Sequence, residues 1–369
     1  MAYAIDDLPL ERFFLPVSSA TAALARLDER LARSPVRDGM LRRMDMHDAA
    51  ACLWLEGELV HMEDLVLHDA LMDSRMPSHA LTVAHAVLRM RRQIAGRAAN
   101  WALSPVGLRQ LLGFGPELGT EKAAAVPEAS TSVAAEDGPS PDPLLEGIDA
   151  LLARTDALLN GGVAGLRGQE VLPRETVARD SLIYDDDWDE EARLDEWRAC
   201  VAATSGLPPL MRAAILHDAW FSLEVVQRSS WIGRLLTAAF LRQSGIAAGH
   251  LPAVSLGLRA LKPSERRSHD RLARLHAFLE AMEEAAEAGM KEHDRLMLAR
   301  EQMQRRLKGR RSSSRLPQLM EMVLRSPLVS SQMVEKELRV TQPGALKLIG
   351  DLNLREITGR GRFRAWGII

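Results

Sequence analysis

The chain has 369 residues, of which 47% are hydrophobic and 26% charged, a balance typical of a folded protein and not of a disordered one. Its two cysteines, Cys52 and Cys200, are too few for a disulfide framework or a thiolate metal site, and we expect a cytoplasmic protein. The acidic first residues do not resemble a signal peptide, and no run of about 18 apolar residues predicts a membrane span.

The net charge of −3 is unevenly distributed along the chain. Residues 305–369 contain 14 Lys and Arg against 5 Asp and Glu, a net charge of +9, which leaves −12 for the rest of the chain. A basic segment attached to an acidic body indicates a polyanionic partner for that segment. The alternative is a surface that is basic without having such a partner.

Residues 1–115 are predicted to form an N-terminal helical region. Only 4% of all residues are aromatic, and Ala, Leu and Arg are abundant, a composition that favours helices. Apolar residues recur at helical spacing, for example at Leu24, Leu27 and Leu31. Ser78 is a candidate N-cap for a helix that continues to about residue 103. We therefore expect the body of the chain to be all-α.

The composition then changes. Residues 116–143 are rich in Ala, Pro, Ser, Gly and Glu, lack large apolar residues and are interpreted as a flexible linker. Helical patterns resume near residue 144, and residues 144–309 are predicted to form a second helical domain, with helices at about 208–228, 231–244 and 270–307. Acids cluster from Asp185 to Glu191, which is typical of the first turn of a helix; a cation site is the alternative.

The longest helical pattern covers residues 270–307, where Leu272, Leu275, Leu279 and Met282 mark one face. Such a stripe packs either inside its own bundle or against a second copy in a coiled-coil dimer. Alanine and methionine weaken the stripe, which favours the bundle. A homodimer is the alternative.

Residues 310–369 are predicted to form a winged helix-turn-helix domain. The segment RLPQLMEMVLRSP gives a first helix, LVSSQMVEKELRV a second that begins after Ser330 or Ser331, and TQPGALKLIGDL a third with Thr341 as N-cap. From Leu354 onward the residues alternate on both sides of a turn at Gly359–Arg360–Gly361, which predicts a β-hairpin. Almost no strand is expected before that point.

This arrangement predicts which positions contact double-stranded DNA. The third helix would enter the major groove, where Gln342 can bond a base edge and Lys347 can reach a base or a phosphate. The wing and the segment before the first helix would bring positive charge to phosphates or the minor groove. The candidate DNA-binding residues are Thr341, Gln342, Lys347, Arg310, Arg311, Arg315, Arg360, Arg362 and Arg364. A winged helix that only docks another protein is the alternative.

The segment GRLL, Gly233–Leu236, and the FLRQSGIAAGHLPAVSLG that follows resemble the Fic family of adenylyl transferases. That family's motif reads His-Pro-Phe, two variable residues, Gly-Asn-Gly-Arg, two variable residues and Arg-Leu-Leu. The resemblance implies a helical bundle which, when the motif is intact, transfers AMP from ATP to protein hydroxyls.

The catalytic positions of that motif are not matched. The position of the base falls on Leu223 or Glu224, depending on the register, and the Gly-Asn-Gly-Arg positions fall on residues 228–231, which read Arg-Ser-Ser-Trp. These positions offer neither a suitable general base nor a phosphate cradle of glycine backbone. We therefore expect no enzymatic activity.

A second match to the same family lies at Glu56–Gly57, which resembles its Ser-x-x-x-Glu-Gly segment with Cys52 in the place of Ser or Thr. In that family the glutamate pairs with the second motif arginine, which corresponds to Arg234. The resemblance implies a clamp between the N-terminal region and the core. The alternative is two solvated charges worth under about 1 kcal/mol.

The segments RSSSRLP, TGRGRFRAWGI and GLRALKPSERRS also resemble an uncharacterised alphaproteobacterial family of rhizobial plasmid type, which joins a domain of unknown function to a C-terminal helix-turn-helix. Together these features predict a transcriptional regulator whose catalytically inactive Fic-like body is a platform for dimerisation, for an unknown effector or for a protein partner. A diverged nucleotide-handling enzyme, with Arg228 and Arg234 as anion ligands, and an antitoxin-like interaction protein are the alternatives.

The histidines do not cluster and dinucleotide motifs are lacking, so no metal and no cofactor is expected.

Overall fold

A computed structural model describes residues 3, 8–72, 76–113, 188–308, 314–357 and 364–368. Helices on both sides of the central gap belong to one compact unit, which comprises Met1–Leu112 and Asp187–Ile369. The predicted linker at 116–143 and the predicted helix near residue 144 lie outside the described residues, as do Asp185–Asp187 of the acidic cluster. No helix within the described ranges is both long enough and apolar enough to cross a membrane.

The described part of the body is helical, which confirms the predicted all-α fold. Its helices are α1 (Leu10–Ala32), α2 (Arg37–Leu55), α3 (Met62–Asp69), α4 (His79–Gly96), α5 (Pro105–Leu111), α6 (Glu190–Ala203), α7 (Pro209–Ser222), α8 (Ile232–Gln243), α9 (Val254–Ala260), α10 (Pro263–Arg266) and α11 (Arg271–Leu307).

Helix α11 is the longest of the described helices, and it is the element against which α1, α2, α7, α9 and α10 all pack. Leu275, Leu279 and Met282 of its predicted apolar stripe are buried, and Leu272 is partly buried. The stripe therefore packs inside the bundle of its own chain, as the sequence favoured.

Local chemistry explains several helix ends. The Ser78 hydroxyl accepts a hydrogen bond of 3.2 Å from the Leu81 N–H and so caps α4, as predicted. Asp189 caps α6 through the Ala192 N–H at 2.9 Å and precedes an acidic first turn, which fits the helix-start interpretation of the described acids.

Two helices end earlier than the sequence suggests. The helix predicted to reach residue 228 ends at Ser222, because Glu224 has a left-handed backbone with φ 47° and Ser229 one with φ 57°, and neither conformation continues a right-handed helix. The helix predicted to reach residue 103 ends at Gly96, and Ser104 caps the separate helix α5 through the Gly107 N–H.

The C-terminal domain comprises α12 (Leu316–Arg325), β1 (Leu328–Ser330), α13 (Ser331–Leu338), α14 (Gln342–Leu352), β2 (Arg355–Glu356) and β3 (Ala365–Gly367). Its antiparallel sheet has the strand order β1-β3-β2. Strand β1 was not expected, because it is only three residues long and pairs with a strand far along the chain, so no local alternation indicates it. The remaining order of helices and strands follows the predicted winged helix-turn-helix.

Candidate nucleic-acid interface

Helix α14 packs one face on its own domain and presents the other to solvent. Ala345, Ile349 and Leu352 are buried, whereas Gln342 and Lys347 are exposed. The amide of Gln342 can donate and accept hydrogen bonds, and the Lys347 ammonium can donate to a base or a phosphate. This is the chemistry required of a helix that contacts DNA.

The N-terminal end of α14 is also exposed to solvent. Thr341 is the N-cap residue and is exposed, but its hydroxyl makes no capping hydrogen bond with the helix. Pro343 occupies the first turn, where its missing N–H leaves no helical hydrogen bond unmade. The Thr341 hydroxyl is therefore available at the end of the helix that would approach a base or a phosphate.

Sequence reasoning missed one residue on this surface. Leu346 is 40% exposed and lies four positions after Gln342, next to Lys347. An exposed leucine here suits contact with a thymine methyl group in the major groove. The spacing of four from Gln342 was the available signal, because residues i and i+4 share a helix face.

The turn between α13 and α14 completes the helix-turn-helix. Arg339 ends α13 in a left-handed conformation with φ 50°, and its side chain is exposed. At the start of the same helix the Ser330 hydroxyl accepts a hydrogen bond of 3.2 Å from the Met333 N–H, which settles the predicted choice between Ser330 and Ser331 as N-cap. Both ends of the short helix are thus fixed by local contacts.

The wing is described only at its base, where β2 pairs with β3. Arg364 is exposed, but Nε and Nη2 of its guanidinium donate to Glu356 Oε2 at 3.0 and 2.6 Å. These hydrogen bonds and the arginine charge hold the pKa of Glu356 below its ordinary value. The charge of Arg364 is therefore partly offset within the wing, a competition that the sequence did not indicate. Arg360 and Arg362 lie outside the described residues.

The predicted basic segment before α12 is described in part. Arg315 is exposed and donates to Gln318 at 3.1 Å, whereas Arg310 and Arg311 lie outside the described residues. Arg315 lines a groove of about 600 Å³ together with Arg339 of the turn and Arg42 of α2. The groove is thus lined by a cation of the body, Arg42, and by cations of the C-terminal domain.

A buried arginine of α2 holds the first helix of this domain. Nη2 of Arg43, a residue 1% exposed, donates to the carbonyls of Val323 at 2.7 Å and Ser326 at 2.5 Å, and its Nε donates to Leu324 O at 3.3 Å. Its Nη1 lies 3.4 Å from Glu292 of α11. Burial lowers the pKa of Arg43 to about 10, so the guanidinium is charged at neutral pH and suits the negative C-terminal end of α12.

Two further contacts fix the domain on the body. A Cβ atom at Gly39 would lie 2.3 Å from the carbonyl oxygen of Leu324, so α2 and α12 approach this closely only because residue 39 is glycine. Arg306, near the end of α11, donates to the Leu352 carbonyl at the end of α14. Helices α2 and α11 therefore hold the C-terminal ends of α12 and α14.

The structure also brings together Glu56 and Arg234. Arg234 lies in the first turn of α8, is 5% exposed, and donates from Nη2 to a Glu56 carboxylate oxygen and, at 3.4 Å, to Cys52 Sγ. Glu56 follows the last residue of α2, and its side chain is 33% exposed. The contact joins the N-terminal helices to the middle of the chain.

Comparison with known proteins identifies two parts of the chain. Residues 182–308 match a family described as a protein of unknown function (DUF1612), and residues 316–369 match an HTH DNA binding domain. The chain is also 45% identical over 385 aligned positions to the "Uncharacterized protein y4cF" of Sinorhizobium fredii (strain NBRC 101917 / NGR234), and the alignment covers 100% of both chains. The chain therefore belongs to the same family as y4cF and combines a domain of unknown function with a C-terminal helix-turn-helix DNA-binding domain.

Proposed function

We propose that the protein is a transcriptional regulator that contacts double-stranded DNA through α14. The observation that carries this proposal is the exposed face formed by Gln342, Leu346 and Lys347 on the third helix of a helix-turn-helix domain. In such domains this helix enters the major groove, and its polar side chains contact base edges. The net charge of +9 in residues 305–369 supplies attraction to phosphates.

In this proposal the cations outside α14 bind DNA phosphates. Arg315 and Arg339 are exposed on the C-terminal domain, and Arg360 and Arg362 belong to the wing by sequence. Phosphate contacts of this kind set register and affinity but carry little sequence information. Because Glu356 partly offsets Arg364, we assign Arg364 a smaller share of the phosphate binding than Arg360 and Arg362.

The body serves as a rigid platform in this proposal. Arg43 and Arg306 attach the C-terminal domain to the body at the ends of two helices. In this proposal a change in the body can therefore alter the position of α14. We retain the homodimer and the unidentified effector or protein partner as parts of the same hypothesis. The Glu56–Arg234 contact is interpreted as the clamp that holds α2 on α8.

We further propose that the body is a Fic-like bundle without adenylyl transferase activity. The Glu56–Arg234 pair supports the likeness, because it joins the two positions that the resemblance assigns to each other. Two features of residues 223–231 support inactivity. Leu223 is buried and has no proton to exchange, and the side chain of Trp231 is buried where the family has its phosphate cradle.

Fluorescence anisotropy with labelled duplex DNA at several salt concentrations tests the DNA-binding proposal. We expect Lys347→Ala to weaken binding and to reduce the slope of log affinity against log salt by about 1, as the loss of one phosphate contact does. Lys291→Ala removes the same charge from the exposed side of α11 and is the matched control. Gln342→Ala is expected to relax the sequence preference found by selection from a random duplex pool.

One result would contradict the assignment of this interface. It is an unchanged affinity and salt slope in Lys347→Ala and in the double variant Arg360→Ala/Arg362→Ala, with the intact protein still bound to DNA. Those cations would then not face the phosphates. Measured AMP transfer to protein by the intact chain would separately contradict the inactive body.

A further inference from the structure

The body contains a partly open cavity of about 380 Å³, a volume within the range of small-molecule sites. It lies between the end of α2, helix α7, the start of α8, and helices α9 to α11. Leu55, Leu258, Phe221 and Phe278 supply apolar surface. The cavity is therefore suited to a ligand that has an apolar part.

More positively than negatively charged side chains line the cavity. Its lining contains four arginines and two carboxylates. Glu56 pairs with Arg234, and Asp218 accepts two hydrogen bonds from Arg274, at 2.6 and 3.2 Å. Two of the arginines have no ion pair to a carboxylate within the described ranges; they are Arg266 and Arg267.

Those two arginines are adjacent in sequence, and their hydrogen bonds to the residues that the structure describes go only to carbonyls; the Arg266 guanidinium also lies 5.1 Å from the centroid of the Trp54 ring. Arg266 Nη1 donates to Leu261 O at 2.6 Å, and Arg267 Nη2 donates to Leu55 O at 3.0 Å. Burial and the neighbouring Arg267 charge lower the pKa of Arg266.

Several buried polar atoms at the cavity also lack a partner. Nε2 of His217, Nε of Arg234 and Nε of Arg266 make no hydrogen bond to any described residue. The His217 ring lies 4.9 Å, between centroids, from each of the Phe221 and Phe278 rings. Polar atoms that remain unpaired when buried are unfavourable, so this side of the cavity is incompletely satisfied in hydrogen bonding.

We propose that this cavity binds a small organic anion whose carboxylate or phosphate group pairs with Arg266 and Arg267 and whose apolar part packs on Phe221 and Phe278. His217 also lines the cavity. Adjacent guanidinium groups suit an anion that has several oxygen atoms, because each can donate to a different oxygen. The inference does not depend on DNA binding.

Calorimetric titration and thermal unfolding of the full chain test this site with three probes: benzoate, phenyl phosphate and, as a neutral control, benzyl alcohol. We expect both anions to bind and to raise the unfolding midpoint, and the alcohol to do neither. The anion that binds more tightly identifies the preferred acidic group. The double variant Arg266→Gln/Arg267→Gln is expected to weaken binding by about tenfold or more, the usual effect of losing a charged hydrogen bond.

Lys262→Gln is the matched control, because it removes a nearby exposed positive charge that does not line the cavity. Arg267→Gln alone, at an exposed position, keeps the test decisive if the double variant does not fold. The proposal is overturned if neither anion binds at millimolar concentration. It is also overturned if benzyl alcohol binds as tightly as the anions, or if Arg267→Gln and Lys262→Gln have equal effects.

Discussion

Replacing Arg43 with methionine tests whether the body fixes the C-terminal domain. Methionine is unbranched and apolar, so it fills most of the space of the buried arginine. The change removes the hydrogen bonds of 2.7 and 2.5 Å to Val323 and Ser326 and the weaker one of 3.3 Å to Leu324. It leaves Glu292 with Arg295 as its ion-pair partner. The perturbation therefore acts mainly on the attachment of α12.

The magnitude follows from these contacts. A hydrogen bond from a charged donor contributes about 1.5–3 kcal/mol, so the two short bonds together contribute about 3–6 kcal/mol. Part of this is offset, because the variant no longer buries a guanidinium group away from water. We expect Arg43→Met to lower the free energy of unfolding by about 3 kcal/mol. Arg42→Met, one residue earlier and exposed, is expected to change it by less than about 0.5 kcal/mol.

Urea denaturation followed by circular dichroism measures this free energy, and amide hydrogen exchange locates the change. We expect faster exchange in α12, residues 316–325, while the buried middle of α11 keeps its protection. Equal urea midpoints for Arg43→Met and Arg42→Met, together with unchanged exchange in α12, would refute the view that Arg43 anchors the domain.

Three further changes have defined outcomes. Glu56→Gln leaves the buried Arg234 without its carboxylate and, because Glu56 is 33% exposed, should cost only about 1–2 kcal/mol of unfolding free energy in urea. Gly233→Ala places a Cβ 2.2 Å from the Trp220 ring and should cost about 1–3 kcal/mol, visible as a lower thermal midpoint. Burial and the Arg234 charge lower the pKa of His217 from 6.5 to about 3, so below pH 6.5 the unfolded chain binds a proton that the folded chain does not. The His217 contribution to stability is complete above pH 6.5 and should decline by about 1.4 kcal/mol per pH unit between pH 6.5 and pH 3.

Each of these predictions has a control. Glu58→Gln removes an exposed carboxylate next to Gly57 and should be nearly neutral. Gly206→Ala adds a Cβ that meets no atom within 4 Å and should leave the thermal midpoint unchanged. His217→Gln should abolish its share of the pH dependence, and a slope identical to that of the parent would show that another group is responsible.

Elements with regular periodicity were predictable from sequence, whereas contacts between distant segments were not. The spacing of Leu24, Leu27 and Leu31 predicted α1 because a helix buries every third or fourth residue. The same spacing does not indicate the start of α1 at Leu10, because Pro16 lies within the helix and is typical of a helix break.

The anchoring role of Arg43 has no local signature. Arg42 and Arg43 are adjacent arginines in one helix, and only the approach of α12, which Gly39 permits, makes one of them buried and the other exposed. The cavity was not predictable from the sequence either, because Arg266 and Arg267, at the end of α10, line it together with residues of α2 and α7 that are distant in the chain. The Glu56–Arg234 pair was suggested only by a family resemblance, since no spacing rule relates two residues so far apart in sequence.

The order of strands in the small sheet has a consequence for synthesis of the protein. Strand β3 follows β1 and β2 in the chain, yet it lies between them and hydrogen-bonds to both. On the ribosome, β1 and β2 therefore have no partner until residues 365–367 have emerged, and Trp366 then becomes buried. A prematurely terminated chain can contain all three helices of the domain and still lack the sheet, and we expect such unfinished copies to bind DNA less well than the full chain.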